Sequence, residues 1–567
     1  MLYRWIFRKP ADPAKTTTLQ KDNNIDPLLA QLLLERNLTE KDQIERFLNP
    51  DLSQLHDPYI MCDMNKAVKR MVTALRDGEN ILIYGDYDVD GITGVSLLYD
   101  GLFKLGGKIS FYIPNRITDG YGVSPHGIKT AAERGVSLIL TVDCGITAVE
   151  EVQIARDMGI DVIICDHHEP SDKVPDAVAI LNPKQKNCPY PYKELAGVGV
   201  AFKFLQALYD HLGYGVSELE SFLDLVAIGT AADIVPLLDE NRVFVRLGLE
   251  RINNNPRQGI FALLESASIL GRELDVSLIV FVLAPRINAV GRISNAKKAV
   301  HLLTSTSLQQ SRNIARILES ENKIRRDIDE STCNQAIELI SRSVDLEKSK
   351  VLILAQKDWH PGVIGIVASR IMEKFNRPTI LISLNDGIGK GSARSTLNFD
   401  IYSALNKVNY LLENFGGHKY AAGLTIKAEN IEPLRQAIHQ ISEEMIDSED
   451  LAPTLDITAE ISLRQLDARF LKWLKMFAPY GPQNMRPVFV TRKMEIAGDV
   501  NVVGNNHLKL KVRNDGIVID AIAYNLGDVS MQVNPAGQKL DAAYVIEENT
   551  WNGQTTIQMR IKDLDLV

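Results

Sequence analysis

The sequence predicts a multidomain α/β protein: a mostly parallel sheet, a long connecting helix, a second α/β unit and a C-terminal β-barrel of OB type. Three observations predict it. Short apolar runs alternate with helically spaced stretches from about residue 65. A single polar-faced helical pattern then fills 307–343. Finally, five strand-like runs crowd into the last 115 or so residues, separated by turn signals.

The elements follow in order. Residues 1–64 read as an N-terminal appendage, with a helical pattern at Leu28, Leu29, Leu32, Leu33 and Leu34. The first domain spans 65–306. Its buried-strand candidates are Ile81–Tyr84, Ile109–Ile113, Leu138–Val142, Val162–Cys165 and Val178–Leu181, with helices such as Ile92–Leu105 and Ala148–Met158 between them. Through 307–343, Ile314, Ile317, Leu318, Ile324 and Ile328 recur at helical spacing among charges. Such a helix is about 55 Å long and suits a rod between domains. Val351–Ala355 and Thr379–Ile382 open a second α/β unit over 344–447. After an acidic linker with a proline, 455–567 carries the barrel strands, with turns at Gly504-Asn505-Asn506 and Asn514-Asp515-Gly516.

Composition narrows the class. In 567 residues, 63 Lys+Arg stand against 72 Asp+Glu, a net charge of −9, with 45% hydrophobic and 24% charged residues. This excludes a disordered, collagen-like or coiled-coil chain. The mild acidity disfavours a coat for duplex DNA but not a nucleic-acid enzyme with segregated charge. No apolar stretch of about 18–20 residues is evident, and MLYRWIFRKPADPAK makes a poor signal peptide. The five cysteines, Cys62, Cys144, Cys165, Cys188 and Cys333, are scattered and never in a CxxC pair. The expectation is a cytoplasmic protein without membrane attachment.

The chemistry is concentrated after strands. The first strand runs into Asp86-Tyr87-Asp88-Val89-Asp90-Gly91. Three carboxylates that close repel one another unless a cation sits among them, and hard divalent cations take carboxylate oxygens. A solvated Asp-rich turn is the alternative on this motif alone. The next strand ends in Asp143-Cys144-Gly145, and the one after in Asp166-His167-His168-Glu169. Open parallel sheets build their sites just past such strand ends. A fourth element, GTAADIVPL at 229–237, sets Asp233 in a small apolar run, where a charge should be paired or ligated. Further along, Arg292 and Arg394 lie close to glycines and small residues, which allow close backbone approach and let a guanidinium fork onto phosphate, and Arg116 and Ser392 join them as candidates. Lys509, Lys511 and Arg513 alternate on one strand, with Tyr480, Phe489 and Tyr524 interleaved nearby. Basic and aromatic groups on a small barrel suit a sequence-tolerant single-strand binder.

With DYDVDG at 86–91, VDCG at 142–145, DHH at 166–168 and GTAADIVPL at 229–237, the chain resembles the DHH phosphoesterase superfamily, and most closely its single-strand-specific exonucleases. PNRITDGYG at 114–122, APRINAVGR at 284–292, GSARS at 391–395 and GGHKYAAG at 416–423 extend the resemblance over about 65–425. PVF at 487–489 and HLKL at 507–510 carry it weakly into the barrel.

The resemblance implies two divalent metal ions, Mn2+ or Mg2+, with Asp88, Asp90, Asp143, His167 and Asp233 as ligands and Asp143 between the ions. It implies catalytic parts for His168 toward phosphate, for Asp166 as its orienter and for Asp86 as a supporting or substitute ligand. Arg116, Arg292, Ser392, Arg394 and His418 become substrate contacts, the first four reading a terminal 5′-phosphate. Tyr480, Phe489, Lys509, Lys511 and Arg513 become the barrel's nucleic-acid contacts. The implied activity is 5′ to 3′ hydrolysis of single-stranded DNA to mononucleotides, in repair and recombination, by a monomer working with a single-strand-binding protein and a helicase. A short-oligonucleotide or cyclic-dinucleotide phosphodiesterase, a shorter pyrophosphatase and a silent replication scaffold are the rivals. The barrel argues against the first two, and the complete set of acids and histidines against the last.

Overall fold

The computed structural model describes residues 2–116, 119–293, 295–504, 506–532, 538–551 and 554–567. The chain forms two compact units. One comprises Asp42–Arg326 with Met476–Met485; the other comprises the residues up to Lys41, Asp327–Lys475 and Arg486–Val567.

The first unit is built on a five-stranded parallel sheet in the order Lys108–Tyr112, Asn80–Gly85, Leu138–Val142, Asp161–Cys165, Ala179–Leu181. The central strands are buried almost throughout, which is why they read as unbroken apolar runs. Gly85 pairs with Val142 and Val142 with Cys165. The residues that follow, Asp86, Asp143 and Asp166, therefore leave the sheet side by side at its carboxyl edge. Helices Met64–Asp77, Val89–Lys104, Gly197–His211 and Leu223–Ala232 pack into one large apolar core with the sheet. Val276–Ile293 is a continuous helical run with a π turn at Ile279–Leu283. By length and hydropathy it could cross a membrane, which corrects the reading that no such stretch exists. It nevertheless carries Arg286, buried and bonded to Glu319, and Arg292, and it packs one face, with Ile279, Leu283, Ile287 and Val290, into this unit's core.

A 36-residue helix, Leu308–Ser343, runs from the first unit into the second. There a mixed sheet follows: Leu352–Lys357 and Thr379–Asn385 are parallel, then Ile388–Arg394, Ala421–Lys427 and Leu412–His418 add antiparallel strands. The words GSARS and GGHKYAAG, which carried no strand expectation, fall on these last three.

The C-terminal strands Phe489–Ile496, Lys539–Trp551, Gln554–Leu566, Ile517–Ala523 and His507–Asn514 pair in that order, and the last returns to the first, closing a five-stranded OB-like barrel. The N-terminal appendage is divided. Arg4–Phe7 pairs in parallel with Thr454–Ile457, so residues up to Lys41 group with the barrel's unit, and the rest with the parallel sheet.

Two barrel expectations are corrected. Phe489 is fully buried, packed edge-on against Phe470 and tilted against Tyr544, so its ring has no face for a base. Tyr480 lies in Met476–Met485, which groups with the parallel-sheet unit and not with the barrel. Buried Arg242 holds that segment by donating to the carbonyls of Met476, Phe477, Ala478 and Pro479. The strand His507–Asn514 behaves as its alternation predicts: Leu508, Leu510 and Val512 are buried while Lys509, Lys511 and Arg513 are exposed.

Candidate metal centre

Each acid reaches the site by a local rule. Asp88 caps the helix Val89–Lys104 by accepting from the Gly91 N–H at 3.1 Å. Gly91 is required there, because a Cβ would stand 2.7 Å from the Asp86 carbonyl. Asp90, in the first helical turn, accepts from the Gly197 N–H at 2.6 Å and the Val198 N–H at 2.8 Å, the first turn of another helix. Asp143 directly follows its strand at φ 59°, and Gly197 passes so close that a Cβ on it would lie 2.7 Å from the Asp143 Cβ. Asp233 ends the helix Leu223–Ala232, followed by exposed Ile234 at φ 63°, a strained conformation for a β-branched residue.

These groups converge. Asp86, Asp88 and Asp143 bring ligand atoms within 4.8 Å of one another; so do Asp90, His167 and Asp233, and so do Asp143, His167 and His168. Asp143 and His167 each belong to two of these groups. His167 Nε2 lies 3.1 Å from Asp143 Oδ1, 3.5 Å from Asp233 Oδ2 and 3.9 Å from Asp90 Oδ2. Asp166 stands behind the histidines. Its Oδ2 accepts from the Ile146 N–H, and its Oδ1 from the His167 and His168 N–H groups and, at 2.7 Å, His168 Nδ1. The other ring nitrogen of His168 meets the Tyr121 hydroxyl at 3.1 Å.

The electrostatics are those of a cation site. Burial, and then the neighbouring acids, push Asp86, Asp143 and Asp233 well above the usual carboxylate range and Asp90 up to about 7. Burial would raise Asp166 too, but its hydrogen bond to His168 holds it low. Burial, then the charge of His168, push His167 down to about 3, leaving it in the neutral form that a metal ligand requires. His168 is raised, because its bond to Asp166 outweighs the burial that opposes the charge. Among the described residues, Asp86 Oδ1 and Asp233 Oδ2 are shielded atoms without a hydrogen-bond partner. Acids and imidazole with spare lone pairs fit hard or borderline divalent cations.

All eight acids and histidines expected here are brought together, and Asp86 stands in a ligand group of its own with Asp88 and Asp143. The expected phosphate contacts divide between the units. In the parallel-sheet unit, Arg116 lies over the Tyr87 ring at 4.9 Å, and Gly291 packs against the Tyr87 backbone beside Arg292. In the other unit, His418 stands opposite Ala421, which stands opposite Arg394, and Ser392 is two residues on. That register puts Ser392, Arg394 and His418 on one sheet face, with Arg394 Nη1 3.2 Å from Ser392 Oγ. Sequence reasoning missed Tyr121, Asn182, Lys184, Gly197 and Val198, and also Leu195, whose backbone hydrogen-bonds the His167 ring. Tyr121 lies in PNRITDGYG, LNPK closes an apolar run, and GVGV is a glycine-rich word opening an apolar helix; these were the available signals for most of the rest.

A parallel sheet with this acid–histidine edge defines a protein of the DHH class. The model for the DHH family N-terminal domain matches residues 80–230, that for the DHHA1 domain 348–444 and that for the RecJ OB domain 457–563. The chain is 38% identical over 565 residues to the single-stranded-DNA-specific exonuclease RecJ of Bacillus subtilis, covering 99% of this chain and 70% of that protein. It is 34% identical to RecJ of Salmonella typhimurium, covering 99% of both. The crystal structure of RecJ from Thermus thermophilus in complex with Mn2+ superposes with a TM-score of 0.84 at 28% identity, covering 99% of this chain and 79% of that one. The chain belongs to the RecJ family.

Proposed function

We propose that this protein is a metal-dependent exonuclease that hydrolyses single-stranded DNA from its 5′ end to mononucleotides, in DNA repair and recombination, acting in the cytoplasm. The observation that carries the reading is a buried acid–histidine edge in which Asp143 joins one group of acids to a second group containing His167. Asp86, Asp88, Asp90, Asp143, His167 and Asp233 would hold two divalent ions, Mn2+ or Mg2+. When bound, the ions supply positive charge against a phosphodiester and acidity to an attacking water.

The chain's own residues do the rest. Asp166 fixes the His168 ring through Nδ1 and keeps it protonated there, so that its imidazole can face a phosphate oxygen. The helix N-terminus at Gly197 and Val198 holds Asp90 in place by two backbone hydrogen bonds. Arg116 and Arg292, about Tyr87, supply cations for the phosphate backbone from the first unit. Ser392, Arg394 and His418 offer a second set from the DHHA1 sheet. Lys509, Lys511 and Arg513 grip the strand further along, with sequence-independent, salt-sensitive interactions. A single-strand-binding protein and a helicase are fitting partners for a monomeric enzyme that needs exposed single strands.

The test is digestion of a long single strand and of its blunt duplex, each labelled at either end, with Mn2+ and with chelator. The reading expects metal-dependent release of the 5′ label from the single strand as a mononucleotide and little attack on the duplex. Preferred cleavage of dinucleotides over long strands would instead favour an oligonucleotide phosphodiesterase.

A further inference from the structure

The loop Asp166–Glu169 carries both histidines but has no regular secondary structure of its own. Its shape is imposed from outside. At the strand side Asp166 gathers the two backbone N–H groups that follow it. At the other side the restraint comes from Asn182, which directly follows the strand Ala179–Leu181 and is fully buried. Its Nδ2 donates to the His168 carbonyl at 2.9 Å, and its Oδ1 accepts from the Lys184 N–H at 2.8 Å. Lys184 then sets its Nζ 3.1 Å from Glu169 Oε1 and 3.8 Å from Glu194 Oε2. The side chain of Lys184 is only 18% exposed.

The Asn182 amide thus uses its donor on the loop and its acceptor on its own turn. A buried amide satisfied on both sides, anchored by a paired strand, is a stiff link. The His168 ring is held by Asp166 at Nδ1, but where that ring stands also depends on where the His168 backbone stands. Asn182 supplies that backbone restraint.

We propose that Asn182 is a positioning residue for phosphodiester hydrolysis, acting through the His168 carbonyl to fix the imidazole, with Lys184 closing the same loop at Glu169. The proposal rests on the nuclease reading, in which His168 meets the reacting phosphate. A group that acts on the reacting atoms must be held to within about 0.5 Å, whereas strand binding elsewhere tolerates more. Loosening the link should therefore lower kcat and leave KM in place.

The experiment compares wild type with Asn182→Asp, which keeps the shape and replaces the donor by an acceptor. A second variant, Lys184→Gln, removes the anchor from the partly exposed end of the same loop and is read alongside in case a buried aspartate prevents folding. Lys184→Arg is the conservative rescue. The readouts are kcat and KM on a single strand with Mn2+, and the His168 signal in a spectrum of [13Cε1]histidine-labelled protein, assigned by its loss in His168→Ala. The expected result is a fall in kcat of about ten- to a hundredfold for Asn182→Asp and a smaller fall for Lys184→Gln. KM should stay within about twofold, the His168 signal should move in both variants, and Lys184→Arg should recover. Unchanged kcat in the variants, or a loss carried by KM with the His168 signal unmoved, overturns the positioning role while wild type still cleaves. Wild type that leaves the strand intact refutes the nuclease reading itself.

Discussion

The acid–histidine edge and the barrel's cationic strand put charge to work in opposite ways. At the edge, the charged groups are largely buried, come from four separate chain segments and share neighbours: Asp143 and His167 each stand in two ligand groups. On the strand His507–Asn514, Lys509, Lys511 and Arg513 lie exposed on one face and repeat the same kind of cation, with Lys511 near Asp520 at 3.8 Å. Shared, buried charges cannot be removed one at a time without stranding the others. Repeated, exposed charges can. The first region should fail all at once and the second by degrees.

The largest effect is expected at the shared acid. Asp143→Ala should lower cleavage more than about a hundredfold with Mn2+ present, while single-strand affinity at fixed salt stays within a few fold. Turnover near wild type would break the distinction between the regions.

Next comes terminal recognition. Arg292→Ala should remove the preference for a 5′-phosphorylated over a 5′-hydroxyl strand, measured as a ratio of kcat/KM values, and leave 5′ release itself in place. A forked guanidinium–phosphate interaction of about 1.5–3 kcal/mol corresponds to a loss of roughly ten- to a hundredfold in that ratio. An unchanged ratio removes Arg292 from end reading.

Proton competition sharpens the comparison further. Asp90 is held at about 7 by burial and by Asp88. Without metal, its proton stabilises the fold below the ordinary carboxylate range, and that contribution is lost as pH rises through about 7. An ion must displace the same proton, so Mn2+ affinity should weaken about tenfold between pH 8 and pH 6. Titration calorimetry at the two values checks this; equal affinities would mean that the acids are already charged in the metal-free protein.

The smallest effects belong to the barrel. Replacing Lys509, Lys511 and Arg513 singly by Ala should leave kcat unchanged. Each replacement that frees one phosphate should reduce the slope of log affinity against log salt by about 0.7. A single replacement that abolishes binding would make the strand a specific site and not a distributed one.

The two regions were also unequally legible. The parallel sheet announced its edge, because buried strands end directly in Asp86, Asp143 and Asp166 and the register Gly85–Val142–Cys165 aligns them. The barrel's alternation gave Lys509, Lys511 and Arg513 their face. Phe489 was misread because its strand is buried on both faces at that point, Val490 and Thr491 included, so alternation carries no information there. Tyr480 was misread because the fold of Met476–Met485 is set by Arg242, more than two hundred residues away in sequence. Gly197, Val198 and Leu195 serve through backbone groups, which no side-chain pattern displays. Asn182 and Lys184 have a role only once the strand before them is seen beside the histidine loop.

Asp143, shared by two ligand groups, would contact both ions. Titration calorimetry of metal-free protein with Mn2+ at pH 8 tests it most directly, on wild type and on Asp143→Ala, with folding of both checked by circular dichroism. Two ions per wild-type chain are expected, and the loss of at least one in the variant. A single ion in wild type, or two retained with undiminished affinity in Asp143→Ala, would contradict it.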